Sequence, residues 1–364
     1  MNFMTANTIR HYVYNFNSLQ VFALSFIICI SFYMTEGVLG IDRLYHPDSS
    51  YYLKPISLYS LERYLSEPAL LFHKGYLVIS KIMSNNYYLL ILLNFVLYSF
   101  TNVIIFNVVF KKYFSILSNT KLLLLSYLFF FDPYRLHLAS HVLKETILIF
   151  IIIVIILSNL KILKLFFVFL LEVFRSNSWI YLFIFITYSK IKNIFNKKII
   201  LISIIISVLL LFLLLVLTKT AQDLAIDFLE FNIKKIKQFD SNQMPLRTYD
   251  HVYQFKNFDF PVGFILKNIT WPIMLLSGFF MFFVSSVLFK FLGIIILLNN
   301  FFIYIITKKT YITPGLMIIL FMISVYTTSY TAMYRYSYIA IYASVIYFFL
   351  HFDHKLNNKK NKCN

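Results

Sequence analysis

Six ionisable side chains lie within the fifteen residues from Asp132 to Thr146, DPYRLHLASHVLKET. They are Asp132, Arg135, His137, His141, Lys144 and Glu145. Apolar runs at 122–131 and 147–157 flank this stretch. Because charges at membrane depth are costly, such groups usually line the interior of a helix bundle or a water-filled cavity. A polar turn at the membrane surface is the alternative, but two histidines spaced four apart beside a Lys-Glu pair favour a functional site.

Three arginines extend this candidate site. Arg135, Arg175 and Arg335 each lie at a predicted membrane boundary beside a broken or aromatic-rich helix, in a chain whose composition otherwise favours lysine. Arginine differs from lysine in its planar, two-pronged binding of phosphate or carboxylate. We therefore predict that these three side chains bind a phosphate-bearing substrate. Arg43 and Arg63 stand next to acids and are interpreted as members of surface ion pairs.

Arginines that grip phosphate within a lipid-embedded bundle suit a lipid-linked diphosphate, and transfer from it needs a base for the acceptor hydroxyl. Glu145 and His141 are the predicted bases, and Asp48 is a further catalytic candidate. Lys144, His137 and Tyr336 complete the predicted substrate-binding residues. The i, i+4 spacing of His137 and His141 also suits a metal. No third ligand adjoins them in the sequence, so no metal is expected.

The elements that must position these residues are membrane helices. The chain has 364 residues, is 60% hydrophobic and has a mean hydropathy of +0.75. Several apolar runs reach the ~20 residues that cross ~30 Å of hydrocarbon. The predicted fold class is an all-α polytopic membrane protein with about ten transmembrane helices, some short or interrupted, and an outward-facing cavity. The net charge of +18 does not indicate nucleic-acid binding, since the lysines are scattered, and Cys29 and Cys363 give no disulfide or metal pattern.

The predicted spans are of two kinds. Longer apolar runs lie at 19–39, 87–110, 199–217, 284–306, 312–327 and 336–352, and shorter ones at 122–131, 145–158, 165–174 and 179–188. The segments 69–83 and 264–283 are ambiguous. Polar residues at 132–145 and 175–178 interrupt the short runs. Such breaks are tolerated at membrane depth only where they are buried in protein or line a cavity, so both point to one internal cavity.

Lysine placement predicts the orientation of the chain. The connecting segments 111–121, 161–164, 190–198, 308–309 and 355–362 contain lysine and no acid, so we place them and both termini in the cytoplasm. Residues 40–86 and 218–263 then form the main outer segments, and 353–364 is a basic cytoplasmic tail. The whole chain, 1–364, is predicted to be a single integral membrane domain.

The chain resembles the Wzy-type O-antigen and capsular polysaccharide polymerases, including EpsG-like members. The resemblance is carried, in order, by the early outer loop with Asp48, Tyr51 and Tyr52, by EPALLFHKGYLVISKI, by SHVLKETILIFIIIVII followed by EVFRSNSWIYLFIF, and by the late MYRYSYIAIYASVIYFF. The order and spacing of these pieces cover most of the chain.

The resemblance implies polymerisation of undecaprenyl-diphosphate-linked oligosaccharide repeats at the periplasmic face of a bacterial inner membrane. The arginines that bind diphosphate in the family would correspond to Arg135, Arg175 and Arg335. The expected partners are the lipid-linked oligosaccharide, the bilayer and a chain-length regulator protein, with no nucleic acid. The expected glycosyl transfer is metal-independent and uses no cofactor.

Two other functions remain open from the sequence. A GT-C-type glycosyltransferase that uses a polyprenyl-monophosphate sugar would need an acid in the first outer loop, and Asp42 or Asp48 could supply it. A polysaccharide or lipid transporter could use the same charged cavity. Transporters often carry paired interrupted helices in two similar halves, whereas the breaks at 132–145 and 175–178 are neighbours without a counterpart near the C-terminus.

Overall fold

A computed structural model of the chain describes residues 16–41, 49, 52–53, 74–114, 116–158, 160–175, 272, 276, 287–308, 311–312, 314–326 and 330–360. Every regular element within these ranges is a helix, which confirms the predicted all-α class. The chain divides into two compact units. The first comprises Met1–Trp179, Leu298–Tyr311 and Tyr342–Asn364, and the second comprises Ile180–Leu297 and Ile312–Ile341.

Helix α1, Ser18–Val38, begins at a capping box. Asn17 Oδ1 accepts from Gln20 N at 2.8 Å, while Gln20 Oε1 accepts from Asn17 N at 2.9 Å. The buried residues of α1 are Val21, Ser25, Cys29 and Glu36. They recur at helical spacing and form one narrow stripe. Much of the remaining helix surface is apolar and exposed, as at Leu19 (74%) and Met34 (62%).

Helix α3, Tyr87–Ile105, packs antiparallel to α1; the element between them, α2, spans Lys74–Ile82. The ring of Phe22, near the start of α1, contacts Phe100, whereas Tyr33, near its end, contacts Phe95. As residue numbers rise along α1, the numbers of the contacting residues in α3 therefore fall. The last turns of α1 consequently lie beside the first half of α3.

The third helix continues beyond Ile105 through a π-helical turn, Phe106–Phe110, and a short end, α4, Lys111–Tyr113. The continuous helix from Tyr87 to Tyr113 has 27 residues. At 1.5 Å per residue it is about 40 Å long, which exceeds the ~30 Å of a bilayer core. Within the described residues, α1 and this helix are the two that are long and apolar enough to cross a membrane.

Three short helices carry the central stretch: α5, Asn119–Phe130, α6, Pro133–Ser140, and α7, Glu145–Leu157. Helix α6 lies against both α1 and α3. Helix α7 packs on α3 and on α8, Lys161–Phe174. Nearly all of α7 is buried, as its sequence ETILIFIIIVIIL, apolar on every side, predicts. The central stretch is thus a short helix between two bends.

The remaining helices among the described residues are α9, Val287–Thr307, α10, Pro314–Tyr326, and α11, Tyr330–Lys360. Residues of α9 and α11 from Leu298 and from Tyr342 onward belong to the first unit. There, Tyr113 of α4 donates a hydrogen bond to the carbonyl of Phe349 and its ring meets the Phe349 ring edge-on. These contacts attach the C-terminal helix to the unit that holds the central stretch.

The number of membrane crossings stays a prediction. Two helices within the described residues satisfy the length and composition of a span. Helices α5, α7 and α8 coincide with runs that the sequence predicts to be short. The predicted spans 179–188 and 199–217 and the outer segment 218–263 lie outside the described residues, as does 264–283 apart from Pro272 and Leu276. The predicted single membrane domain and the outward-facing cavity likewise stay predictions.

Candidate functional site

The first bend of the central stretch is fixed by Asp132, which caps α6. Its Oδ1 accepts from the backbone N–H groups of Tyr134 and Arg135 at 2.9 and 3.1 Å. Pro133 fills the first helical position, where a missing N–H costs nothing. Oδ2 of Asp132 accepts from Asn299 Nδ2 at 2.9 Å. Both carboxylate oxygens are therefore engaged in holding the helix start.

The second bend is held by donors from other elements. The chain leaves the helix at His141 and turns through buried residues into α7. Asn94 Nδ2, from α3, donates to the carbonyls of His141 and Leu143 at 2.7 and 3.3 Å, and Ser49 Oγ donates to that of Val142 at 3.2 Å. Because buried carbonyls need donors, these three bonds make a helix break inside the protein tolerable.

The bend lies beside a helix and not beyond its end. Asn94 is about 10 Å, and Tyr98 about 17 Å, along α3 from Tyr87 at 1.5 Å per residue. Tyr98 OH donates to the carbonyl of Phe130 at 2.7 Å, just before the central stretch begins. The stretch therefore runs along the first half of an apolar helix, which argues against an ordinary surface turn.

At the centre of the site, one carboxylate meets two imidazoles. Glu36 Oε1 lies 2.6 Å from His137 Nδ1, and Glu36 Oε2 lies 3.5 Å from His141 Nε2. The two imidazole rings have centroids 4.4 Å apart. All three residues are buried, with exposed fractions of 6, 8 and 2%. We call Glu36, His137 and His141 the Glu-His-His cluster.

This cluster arises where the last turn of α1 meets the last turn of α6. Glu36 extends the buried stripe of α1 toward its C-terminus, and His137 faces it from α6. His141, no longer helical (φ −118°, ψ 157°), brings its ring to the other carboxylate oxygen. A buried carboxylate is tolerated only when it is paired, and the 2.6 Å hydrogen bond between Glu36 Oε1 and His137 Nδ1 provides that pairing. Chemically, the cluster can accept a proton from a hydroxyl or bind a cation.

The predicted phosphate ligand Arg135 is held by acceptors within the protein. It is 2% exposed, and its Nη1 donates to the carbonyl of Phe129 and to Tyr342 OH, both at 2.6 Å. Its Nη2 donates to the carbonyl of Tyr98 at 3.3 Å. The guanidinium also lies 4.1 and 4.9 Å from the ring centroids of Tyr98 and Tyr342. Direct contact with a diphosphate would require exchange of some of these bonds.

Lys144 and Glu145 are buried at the start of α7, with exposed fractions of 1 and 0%. Such residues are almost never fully buried unless they are paired. Burial raises the pKa of the neighbouring Tyr76 hydroxyl, and the Glu145 charge raises it further, so this tyrosine stays protonated. Glu145 is thus fully buried in the first unit.

Arg175 ends α8 at a point of close helix packing. It is half-buried, and its extended backbone (φ −157°, ψ 110°) leaves the helix after Phe174. Gly75 of α2 lies against this end so closely that a Cβ there would be 2.9 Å from both Val173 O and Phe174 Cδ1. The geometry therefore fixes the backbone from which the Arg175 side chain extends.

The other predicted site residues lie elsewhere or outside the described residues. Arg335 and Tyr336 belong to the second unit, where the buried Arg335 guanidinium is 6.0 Å from the Tyr336 ring centroid. Asp48 is outside the described residues. The structure therefore brings His137 and His141 together and places Arg135, Lys144, Glu145 and Arg175 in the same unit.

Two residues of the site were not predicted from sequence. Glu36 is the one acid in the predicted span 19–39, and Asn94 is one of three asparagines in the predicted span 87–110. Polar residues within apolar helices were the available signal, since they are expected to face the protein interior.

The chain matches no protein-family model, no curated protein and no solved structure. Its function is accordingly inferred from its residues and their geometry.

Proposed function

We propose that this chain is a membrane-embedded glycosyltransferase that polymerises undecaprenyl-diphosphate-linked oligosaccharide repeats at the periplasmic face of a bacterial inner membrane. The observation that carries the proposal is the burial of a carboxylate, two imidazoles and a Lys-Glu pair along apolar helices. Groups so costly to bury mark functional sites. The resemblance to Wzy-type polymerases supplies the reaction class.

The surface of α1 supports a location in the membrane. Apolar side chains such as Leu19, Ile27 and Met34 are exposed by 74, 58 and 62% along it. A core helix of a soluble protein would bury these residues, so this exposure favours contact with lipid. At the same time, Glu36 contacts His137 and the rings of α1 pack on α3, which makes α1 an integral part of the first unit.

In the proposed reaction, an acceptor sugar hydroxyl attacks the anomeric carbon of a diphosphate-linked donor. The new bond forms from the hydroxyl oxygen to that carbon, the bond from the carbon to the phosphate oxygen breaks, and the diphosphate leaves. The hydroxyl proton passes to a base, for which Glu145 and His141 are the candidates. Cations stabilise the charge that develops on the leaving diphosphate.

The contacts of the cations support different proposed roles. Arg135 is proposed to position α6, because its guanidinium donates hydrogen bonds to α3 and α11. Arg175 and Lys144 are proposed to contact the diphosphate in the first unit. His137 is proposed to orient the substrate together with His141, and Arg335 and Tyr336 of the second unit are proposed to bind the substrate as well.

A donor assay tests the proposal. Full-length protein in lipid nanodiscs is given an undecaprenyl-diphosphate-linked oligosaccharide or, separately, an undecaprenyl-monophosphate sugar. The proposal expects a ladder of polymer from the diphosphate donor and no transfer from the monophosphate. Transfer from the monophosphate alone would instead support a GT-C-type enzyme. Movement of the lipid-linked donor across the bilayer without any new glycosidic bond would identify a transporter.

A further inference from the structure

The Glu-His-His cluster has the composition of a metal site. Glu36, His137 and His141 each offer one ligand atom, and these atoms all lie within 4.8 Å of one another. Within the part of the chain that the structure describes, this is the one cluster of histidine, cysteine and acid side chains with such spacing. We propose that it binds a divalent transition-metal ion, with Zn²⁺ as the best-fitting ion.

The sequence predicts no metal because no third ligand stands near the two histidines. The structure supplies that ligand from α1, since Glu36 precedes His137 by 101 residues. The packing of α1 against α6 brings these residues, which are distant in the sequence, next to each other. The prediction of a metal-free site therefore considered only ligands that lie near His137 and His141 in the sequence.

The donor set selects the ion. Two imidazole nitrogens and one carboxylate oxygen suit zinc and similar first-row metals, whereas Mg²⁺ and Ca²⁺ prefer oxygen ligands alone. Three protein ligands leave a fourth tetrahedral position open for water or for a substrate oxygen. In its number of protein ligands, the cluster therefore resembles a catalytic zinc site more than a structural zinc site, which has four protein ligands.

The distances in the cluster allow an ion after a small adjustment. Metal–ligand bonds of about 2.0–2.2 Å in a tetrahedral zinc site keep the ligand atoms roughly 3.3–3.5 Å apart. Oε2 of Glu36 and Nε2 of His141 are already 3.5 Å apart. The other carboxylate oxygen, Oε1, lies 2.6 Å from His137 Nδ1 in a hydrogen bond. An ion held by Oε1 and Nδ1 would require these two atoms to separate by roughly 0.7 Å.

The fold already holds the ligand residues in place, so the ion does not need to bring them together. His137 belongs to a capped helix whose start Asp132 fixes, and the backbone of His141 is fixed by the hydrogen bond from Asn94. Rigid support of this kind favours metal binding, because little conformational freedom is lost when the ion arrives.

This inference rests on the cluster alone and holds whether or not the chain transfers sugars. If both proposals are right, an ion on His141 leaves Glu145 as the base in the glycosyl transfer. Metal binding is measured without any sugar substrate, so its failure and the failure of the proposed transfer are separate results.

The test uses the full chain, purified in detergent and stripped of metal with EDTA. After titration with Zn²⁺, we expect one tightly bound ion per chain, and we expect Mg²⁺ at the same concentration not to displace it. Titration with Co²⁺ should produce the visible absorption bands of a tetrahedral site with nitrogen and oxygen ligands. Absence of both tight Zn²⁺ binding and the Co²⁺ spectrum in the unmodified protein would overturn the proposal.

Variants assign the ion to the cluster. Glu36→Gln and His141→Gln are expected to weaken Zn²⁺ binding by about 100-fold each, since each ligand supplies a large share of the affinity. His351→Ala is the matched control, because this histidine is exposed and bonds only locally to the carbonyl of Tyr347. Size-exclusion and circular dichroism profiles establish that each variant is folded. Full Zn²⁺ affinity in both folded ligand variants, or its loss in His351→Ala, would contradict the assignment.

Discussion

Replacing Asn94 tests the physical account of the helix break most sharply. Its Nδ2 donates to two buried carbonyls, those of His141 at 2.7 Å and Leu143 at 3.3 Å, and the residue is 0% exposed. A buried carbonyl that loses its donor costs roughly 1–3 kcal/mol. The His141 carbonyl would keep the hydrogen bond from Leu143 N–H at 2.8 Å, so only the Leu143 carbonyl loses the donor described here. We therefore expect Asn94→Ala to destabilise the bend by about 1–3 kcal/mol.

The assay is amide hydrogen exchange by mass spectrometry on protein in nanodiscs. A local loss of about 1–3 kcal/mol corresponds to exchange roughly 5- to 150-fold faster in peptides that cover residues 141–148. Asn94→Asp keeps the shape but replaces the donor with an acceptor, so it should be at least as damaging as Asn94→Ala. Both variants should leave exchange in the middle of α1 little changed.

Asn107→Ala is the matched control for this prediction. Asn107 follows on the same continuous helix, but it is exposed and bonds only to Ser18 Oγ at 3.0 Å. Its replacement should change stability by less than about 0.5 kcal/mol. If Asn94→Ala and Asn107→Ala gave equal exchange over residues 141–148, the claim that Asn94 supports the break would be refuted.

Three further predictions concern packing and chemistry. Gly75→Ala should lower thermal stability by about 1–3 kcal/mol, because the new Cβ would lie 2.9 Å from the backbone oxygen of Val173. Gly37→Ala, where nothing lies within 4 Å, should keep or raise the melting temperature, and an equal loss in both variants would contradict the argument. Arg175→Lys should shorten or abolish polymer at normal protein levels if two-pronged phosphate binding matters, and normal chain lengths on a gel would mean that charge alone suffices. Glu145→Gln should lower the transfer rate by about 100-fold or more if Glu145 is the base, whereas an unchanged rate would transfer that role to His141.

The sequence predicts helices well where one physical signal dominates. Predicted runs at 19–39 and 87–110 correspond to helices Ser18–Val38 and Tyr87–Tyr113. Long apolar runs with polar ends are typical of membrane helices and of few other secondary structures. The sequence also predicts that the polar stretch after residue 131 is buried, since six ionisable groups between apolar runs need an interior. The helical character of Pro133–Ser140 follows from the Asp-Pro start.

The contacts across the fold could not be read from the chain in the same way. Glu36 reaches the two histidines only because α1 and α3 pack antiparallel and α6 lies against both. The surroundings of Arg135 could not be predicted either: the Tyr342 hydroxyl, the Tyr98 carbonyl and both tyrosine rings surround its guanidinium. These partners are separated by dozens to hundreds of residues, so local pattern carries no information about them.

The central claim is that the buried Glu-His-His cluster belongs to the reaction centre of a sugar polymerase. Its most direct test is the rate of polymer formation from undecaprenyl-diphosphate-linked repeats by folded Glu36→Gln protein, with Asn107→Ala alongside. We expect at least about a 100-fold slower rate in Glu36→Gln, because Glu36 holds His137 and His141, which are proposed to orient the substrate, and a normal rate in Asn107→Ala. A normal rate in folded Glu36→Gln protein would show that the cluster is structural and would contradict the claim.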